Sequence, residues 1–176
     1  PAPSPVFSSM SVTQPVVVAG DNISVSWAST YSECKTASGT LPGSGTSSIP
    51  TTAAGVTNVS IQCGNETKSA AVEVLPAVTP IPDQAFEAAL VDMKLDDAVD
   101  GKIDTRKAMT ITGFVISQTG YQYQGYPHTA VKTNLITDLT GIENMRNLQL
   151  LRVENQKVST VNLSKLANLR QLTLQD

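Results

Sequence analysis

The sequence has few of the residues on which catalysis and nucleic-acid binding depend. It contains one histidine, and charged residues make up only 15% of its 176 positions. The net charge of −3 argues against nucleic acid as a partner, because phosphate binding requires clustered Lys and Arg. The hydrolase signatures G-x-S-x-G and H-E-x-x-H do not occur. We therefore expect a protein that is not an enzyme and that uses no cofactor.

Long apolar runs and an N-terminal secretion signal are also missing. No run approaches the ~20 apolar residues of a membrane-spanning helix, so we expect no membrane span in this chain. The sequence begins at Pro1 rather than at a methionine, which is compatible with a processed secreted protein.

Only two cysteines are present, Cys34 and Cys63. Both fall in strand-like stretches, and no histidine or third cysteine lies nearby to complete a metal site. This favours a disulfide, and therefore an oxidising location such as the extracellular space, the cell surface or the periplasm. Two buried, unpaired thiols are the alternative.

The first half of the chain alternates apolar and polar residues with a period of two. Ile23, Val25 and Trp27 are separated by serines, and Gly-rich breaks divide the alternating stretches. This pattern predicts antiparallel strands with one buried face. We expect a tether over residues 1–6, a β-sandwich over 7–75 and a Pro-rich linker over 76–82.

The C-terminal stretch repeats itself. Leu151 and Val153 return as Leu172 and Leu174, each 21 residues later. A period in the low twenties with L-x-x-L-x-L spacing is typical of a leucine-rich solenoid. We expect a short solenoid over residues 111–176. An apolar helical stripe that begins at Phe86 predicts a helical cap over residues 83–110.

Two resemblances extend these interpretations. The stretch Asn22 to Ser29, with Cys34 and Cys63, resembles bacterial surface immunoglobulin-like modules, in which the tryptophan is buried and the cysteines pair. Residues 81–176 resemble internalin-like bacterial leucine-rich repeats with an N-terminal cap, on the motifs around Ile81-Pro82-Asp83 and Asn134 to Met145. Together they imply two domains: an all-β immunoglobulin-like sandwich followed by an α/β leucine-rich repeat solenoid with a helical cap.

An acidic turn after the first helical stripe is similar to an EF-hand loop. Asp96, Asp100 and Asp104 lie around Gly101, but Lys107 stands at the closing position, where calcium requires a bidentate glutamate. We therefore expect a turn that survives without metal, with at most weak binding.

About 15 residues interrupt the first repeat, over 118–133. They contain three of the four tyrosines and the only histidine. Tyrosine offers a large contact area at low entropy cost, so this segment is a candidate contact region; packing within the protein is the alternative. The expected strand face supplies further polar candidates. The complete predicted binding set is Tyr121, Tyr123, Tyr126, His128, Gln149, Arg152, Glu154, Arg170 and Thr173.

These features favour an extracytoplasmic bacterial binding or adhesion protein. The solenoid would recognise a protein or glycan partner at the cell surface, and the sandwich would act as spacer. The alternative is a non-catalytic targeting or structural region of a larger secreted enzyme or surface protein. In either case we expect the open end of the solenoid, with Leu172 and Leu174, to be a candidate for self-association.

Overall fold

The computed structural model of the chain describes residues 3–119 and 125–175. Within them the protein is mostly β, with two α-helices and one 3-10 helix. Contacts divide the chain into two compact units, Pro1–Pro76 and Ala77–Asp176, and each is described by itself. Among the described residues no helix is long and apolar enough to cross a membrane.

Residues 3–76, the described part of the first unit, contain eight strands. They are β1 (Phe7–Val12), β2 (Val16–Val18), β3 (Asn22–Ser29), β4 (Glu33–Thr36), β5 (Gly39–Pro42), β6 (Gly45–Pro50), β7 (Gly55–Cys63) and β8 (Glu66–Leu75). One sheet has the order β1-β3-β6 and the other has the order β2-β8-β7-β4-β5. Only β2 and β8 pair in parallel; the other pairs are antiparallel.

One hydrophobic core receives side chains from both sheets of this unit. Ile23, Val25 and Trp27 of β3 are almost completely buried, while the residues between them are exposed, as the period-two pattern predicts. Val59 and Ile61 of β7 enter the same cluster from the other sheet. The buried indole of Trp27 donates a hydrogen bond to the carbonyl oxygen of Pro42, so its polar group is not left unsatisfied.

Cys34 and Cys63 form a disulfide, which confirms that prediction. Cys34 lies on β4 and Cys63 on β7, two neighbouring strands of the five-stranded sheet. A disulfide is typical of an oxidising compartment and is compatible with an extracellular location.

The predicted immunoglobulin-like domain is not supported. In immunoglobulin domains the central disulfide joins the two sheets across the core. Here Cys34 and Cys63 join adjacent strands of one sheet. In addition β2 pairs with β8 in parallel, which the alternating sequence pattern did not reveal. Burial of the tryptophan and pairing of the cysteines are properties that small β-folds share.

The described part of the second unit, residues 77–119 and 125–175, contains six strands and three helices. They are β9 (Val78–Pro80), α1 (Gln84–Asp92), β10 (Lys102–Asp104), α2 (Thr105–Thr110), β11 (Gly113–Ser117), β12 (His128–Ala130), the 3-10 helix (Ile142–Asn144), β13 (Leu150–Glu154) and β14 (Gln171–Gln175). β9 and β10 form an antiparallel pair. The remaining four strands form a parallel sheet in the order β12-β11-β13-β14.

The inner side of this parallel sheet supplies much of the core of the second unit. Phe114, Ile116, Leu151 and Val153 point into one cluster, where they meet Phe86 and Leu90 of α1. The 21-residue repeat appears as strand pairing, because Leu151 lies opposite Leu172 and Val153 opposite Leu174. Leu172 and Leu174 nevertheless remain 48% and 39% exposed, since β14 is the last strand of the sheet.

The predicted leucine-rich repeat solenoid with a helical cap is wrong. The repeat produces one pair of neighbouring strands, and the other edge of the sheet is formed by β12, which comes from the insertion. Residues 83–110 hold two short helices separated by the strand β10. The described residues therefore form a small mostly-β structure, because one sequence repeat fixes the register of two strands but does not by itself build successive turns.

Asp83 connects the start of α1 to a distant loop through both oxygens of its carboxylate. Oδ1 accepts hydrogen bonds from the amides of Ala85 and Phe86 and so caps the helix. Oδ2 accepts from the amides of Thr137 and Asp138 and from the Thr137 hydroxyl. Desolvation raises the pKa of this carboxyl, but the hydrogen bonds outweigh it and leave the pKa below its usual value.

Removal of the disulfide should destabilise the first unit. It closes a loop with a sequence separation of 29 residues, and the chain-entropy relation gives a stabilisation of about 3–4 kcal/mol for such a loop. We expect Cys34→Ala/Cys63→Ala to lower the urea midpoint of that unit by a corresponding amount. A reductant should do the same to the wild type and nothing to the variant. Equal midpoints for wild type and variant would contradict this expectation.

Asp83→Ala should lower the free energy of unfolding of the second unit by at least about 1–2 kcal/mol at pH 7, as helix caps generally do. Because the pKa is lowered in the folded protein, this stabilisation is complete above the ordinary aspartate value of 3.8 and is lost as pH falls through the folded pKa. The difference between wild type and variant should therefore shrink below about pH 4. Asp97→Ala, which removes an exposed carboxylate paired with Lys107, is the control and should cost under about 1 kcal/mol.

Candidate binding surface

The outer face of the parallel sheet, the side opposite the core, brings together three residues of the predicted binding set. His128 lies opposite Val115, Val115 opposite Arg152, and Arg152 opposite Thr173. In a parallel sheet paired residues point to the same side, and the neighbours of Arg152 point into the core. His128, Arg152 and Thr173, all half-buried, therefore form one row across four strands.

An ion pair fixes the centre of this row. Nε of Arg152 donates to Oε1 of Glu154 at 2.6 Å, and the two side chains are 27% and 10% exposed. Because the carboxylate is almost buried, solvent screens the pair much less than it would screen an exposed one. The guanidinium is thus held in one orientation on the sheet, which suits it to recognise a carboxylate or another planar polar group.

β12 is anchored at its central residue and at the residue just before it. The hydroxyl of Thr129 donates a hydrogen bond to the carboxylate of Asp92 at the end of α1. The amide of Val115 donates to the carbonyl of Pro127, just before His128. The insertion therefore returns to the sheet as its edge strand and places His128 beside the outer face.

Tyr126 lies against the first residue of β11. A side chain at Gly113 would have its Cβ only 2.5 Å from two ring atoms of Tyr126 and 3.1 Å from Cβ of Leu150. The glycine thus allows the tyrosine ring to approach the backbone. Leu150 is 3% exposed although it does not belong to the main core, so the outer face has an apolar patch of its own beside the polar row.

The rest of the predicted binding set is more scattered. Gln149 and Arg170 precede β13 and β14, and the carbonyl of Gln149 accepts the amide of Arg170 at 2.8 Å. Gln149 is half-buried and Arg170 is exposed. Tyr121 and Tyr123 lie outside the described residues. The predicted set is therefore brought together at Tyr126, His128, Arg152, Glu154 and Thr173, with Gln149 and Arg170 at the strand starts.

The three aspartates of the acidic turn serve different local partners. Asp96 accepts the amide of Asp97, Asp100 forms an exposed ion pair with Lys102, and Asp104 caps α2. Among the described residues no group of three His, Cys, Asp or Glu side chains is arranged to hold a metal ion. The glycine at the turn, Gly101, has a φ of 83°, as the resemblance to a calcium loop implies.

A buried carboxylate, which the sequence did not single out, organises this turn from the inside. Glu87 of α1 is 0% exposed, and its Oε1 accepts hydrogen bonds from the amides of Asp100 and Lys102. The Glu87 side chain therefore holds the turn through two main-chain amides. In a calcium-binding loop the bound cation would hold the turn instead. Desolvation raises the pKa of the nearby Asp96 carboxyl, and the negative charges of Glu87 and Asp100 raise it further. The hydrogen bond from Asp97 and the positive charge of Lys107 lower this pKa, but they do not outweigh the other two effects.

Comparison with protein-family models and with curated proteins finds no match to this chain. The candidate site therefore rests on the geometry alone.

Sequence reasoning missed the apolar part of the outer face. Val115 and Leu150 read as ordinary strand core, yet they are buried on the side away from the main cluster. The available signal was the unbroken apolar run Phe114-Val115-Ile116 in β11, which lacks the alternation of a strand with one solvent-exposed face. Such a run predicts that something covers both faces, and Tyr126 supplies part of that cover.

The packing of Tyr126 on Gly113 can be tested by a double-mutant cycle. Gly113→Ala should displace the ring and lower the melting temperature, because the added Cβ occupies the space of the ring edge. In a Tyr126→Ala background the same change should cost much less, giving a coupling energy of roughly 0.5–3 kcal/mol. Thermal unfolding of the four proteins gives the answer, and additive effects would show that the contact does not stabilise the fold.

Proposed function

We propose that this chain is a non-catalytic, extracytoplasmic binding protein that contacts a protein or glycan partner through the outer face of its parallel sheet. The observation that carries the proposal is the row His128–Arg152–Thr173, which is presented on a regular sheet. Side chains on strands of a packed sheet are positioned more rigidly than those on loops, which reduces the entropy lost on binding.

The chemistry of the face supports a polar, wet interface. The row carries an imidazole, a guanidinium and a hydroxyl, and Gln149 lies at its border. Such groups donate and accept hydrogen bonds, directly or through water, and they suit amide, hydroxyl or carboxylate groups on a partner. The half-buried Tyr126 adds apolar area next to them, the mixture that is common at protein interfaces. The disulfide in the first unit supports the extracytoplasmic part of the proposal.

Substitution at the β14 end of the row provides the test. We expect a glycan and protein array to reveal a partner of the wild type, and Thr173→Arg to weaken that binding at least about tenfold, or about 1.4 kcal/mol. Ala167→Arg, which places the same side chain on the exposed return segment before β14, is the matched control and should bind normally. Equal binding by Thr173→Arg and wild type would remove the outer face from consideration.

The tyrosines of the insertion need a separate variant. Tyr121→Ala/Tyr123→Ala/Tyr126→Ala should weaken binding to the same partner if the insertion contributes contacts beside the row. Unchanged affinity in this variant, with binding lost in Thr173→Arg, would restrict the contact to the strands.

A second candidate function is a structural or targeting region of a larger secreted enzyme or surface protein. Leu172 and Leu174 favour it, because half-exposed leucines on the inner side of an edge strand are stabilised by a covering surface. Light scattering would show whether a second copy of the chain provides this cover. A monomeric wild type, or a dimer that Leu172→Ser leaves intact, would argue against self-association through β14.

A further inference from the structure

The first unit contains a cleft that the role of spacer does not require. It has a volume of about 450 Å³ and is bordered by β6 and β7, which belong to different sheets, and by residues 36–41 of the β4–β5 hairpin. Core residues Val25, Val59 and Ile61 reach its floor, together with the half-buried Leu41 and Ile49. Its rim consists of small hydroxyl and amide side chains.

The cleft runs along strand edges rather than over strand faces. Residues 57–61 of β7 and 47–50 of β6 border it consecutively. Successive side chains of a strand point to opposite faces, so a cleft over one face would be lined by every second residue. Consecutive lining means that the main chains of both strands face the cleft.

Both edges are open for a structural reason. β6 is the last strand of the three-stranded sheet. β7 pairs with β8 along its whole length, but on its other side it meets β4 at a single position, Lys35 opposite Gln62. Residues 36–41 of the β4–β5 hairpin form another wall of the cleft, and no described strand pairs with residues 57–61 on that side. Every second residue there directs its amide and carbonyl toward the cleft.

These edges lack the usual protection against strand pairing. Natural edge strands are commonly protected by inward-pointing charges, especially lysine, by bulges or by proline. None of the sixteen residues that line the cleft is charged, and the single proline, Pro50, stands at the end of β6. The cleft is thus apolar at its floor, neutral at its rim and bordered by main-chain hydrogen-bonding groups.

We propose that this cleft binds an extended, uncharged peptide segment of a partner protein, which pairs as an added strand with the open edge of β7. An added strand satisfies main-chain donors and acceptors that otherwise depend on water, and pockets for alternate side chains supply specificity. A segment of about five residues matches the open length 57–61. Small apolar side chains of the segment pack on Leu41, Ile49 and Val59, and hydroxyl side chains face the rim. A charged segment is disfavoured, because no residue that lines the cleft carries an opposite charge.

A library of linear ten-residue peptides displayed on phage, selected on the full chain, tests the proposal. We expect enrichment of uncharged peptides with alternating apolar and hydroxyl residues. The enriched peptide, made synthetically, should bind Ser48→Lys at least about tenfold more weakly than wild type, because the exposed Ser48 borders the cleft. Thr67→Lys places the same charge on an exposed position of β8 outside the cleft and should bind like wild type.

Amide hydrogen exchange on the wild type provides a readout that does not depend on a variant. The bound peptide should slow exchange of amides within residues 57–61, as pairing with an added strand requires. Enrichment of charged peptides only, no enrichment at all, or binding without protection of these amides would overturn the proposal. A dimer of the free chain that Ser48→Lys dissociates would also overturn it, because the cleft would then be occupied by a second copy.

Discussion

The second unit depends on side-chain oxygens that satisfy main-chain amides. Much of it is irregular, and a buried amide without a partner costs about as much as a lost hydrogen bond. Asp83 accepts from four amides, Glu87 from two, and the buried Gln156 accepts the amide of Ile136 at 3.1 Å. These three side chains tie segments that are far apart in sequence, so they set the paths of the loops that carry the strands.

In the first unit the main-chain amides find their hydrogen-bond partners differently. Most of its described residues are in strands, and its backbone pairs within two sheets of unequal size. Three strands cannot cover five, and β4 pairs with β7 at only one position. The space that results is bordered by β6 and β7. Its existence follows from sheet topology, whereas its neutral lining follows from the serines, threonines and asparagine that the sequence places there.

Local patterns predicted local structure well. The alternation around Trp27 predicted β3 and its buried face, the stripe from Phe86 predicted α1, and the offset from Leu151 to Leu172 predicted which residues become neighbours. The global architecture was predicted wrongly, because strand register and strand number are separate properties. Nothing in the spacing of Cys34 and Cys63 distinguishes a disulfide within one sheet from one between sheets. The candidate row was foreseen in part, since Arg152 and Thr173 alternate with leucines, but the cover over Gly113 depends on contacts that no pattern records.

The two edges of the parallel sheet are unlike, and this limits how copies of the chain can associate through it. Pairing of β14 with β14 uses the same edge of both molecules, so a two-fold axis relates them and the assembly closes at two copies. Pairing of β14 with β12 would be head to tail and would extend without limit. β12 is only three residues long and its Thr129 is bound to Asp92, which leaves little for another strand to join. A short edge strand that is tied in this way disfavours head-to-tail pairing of the sheet.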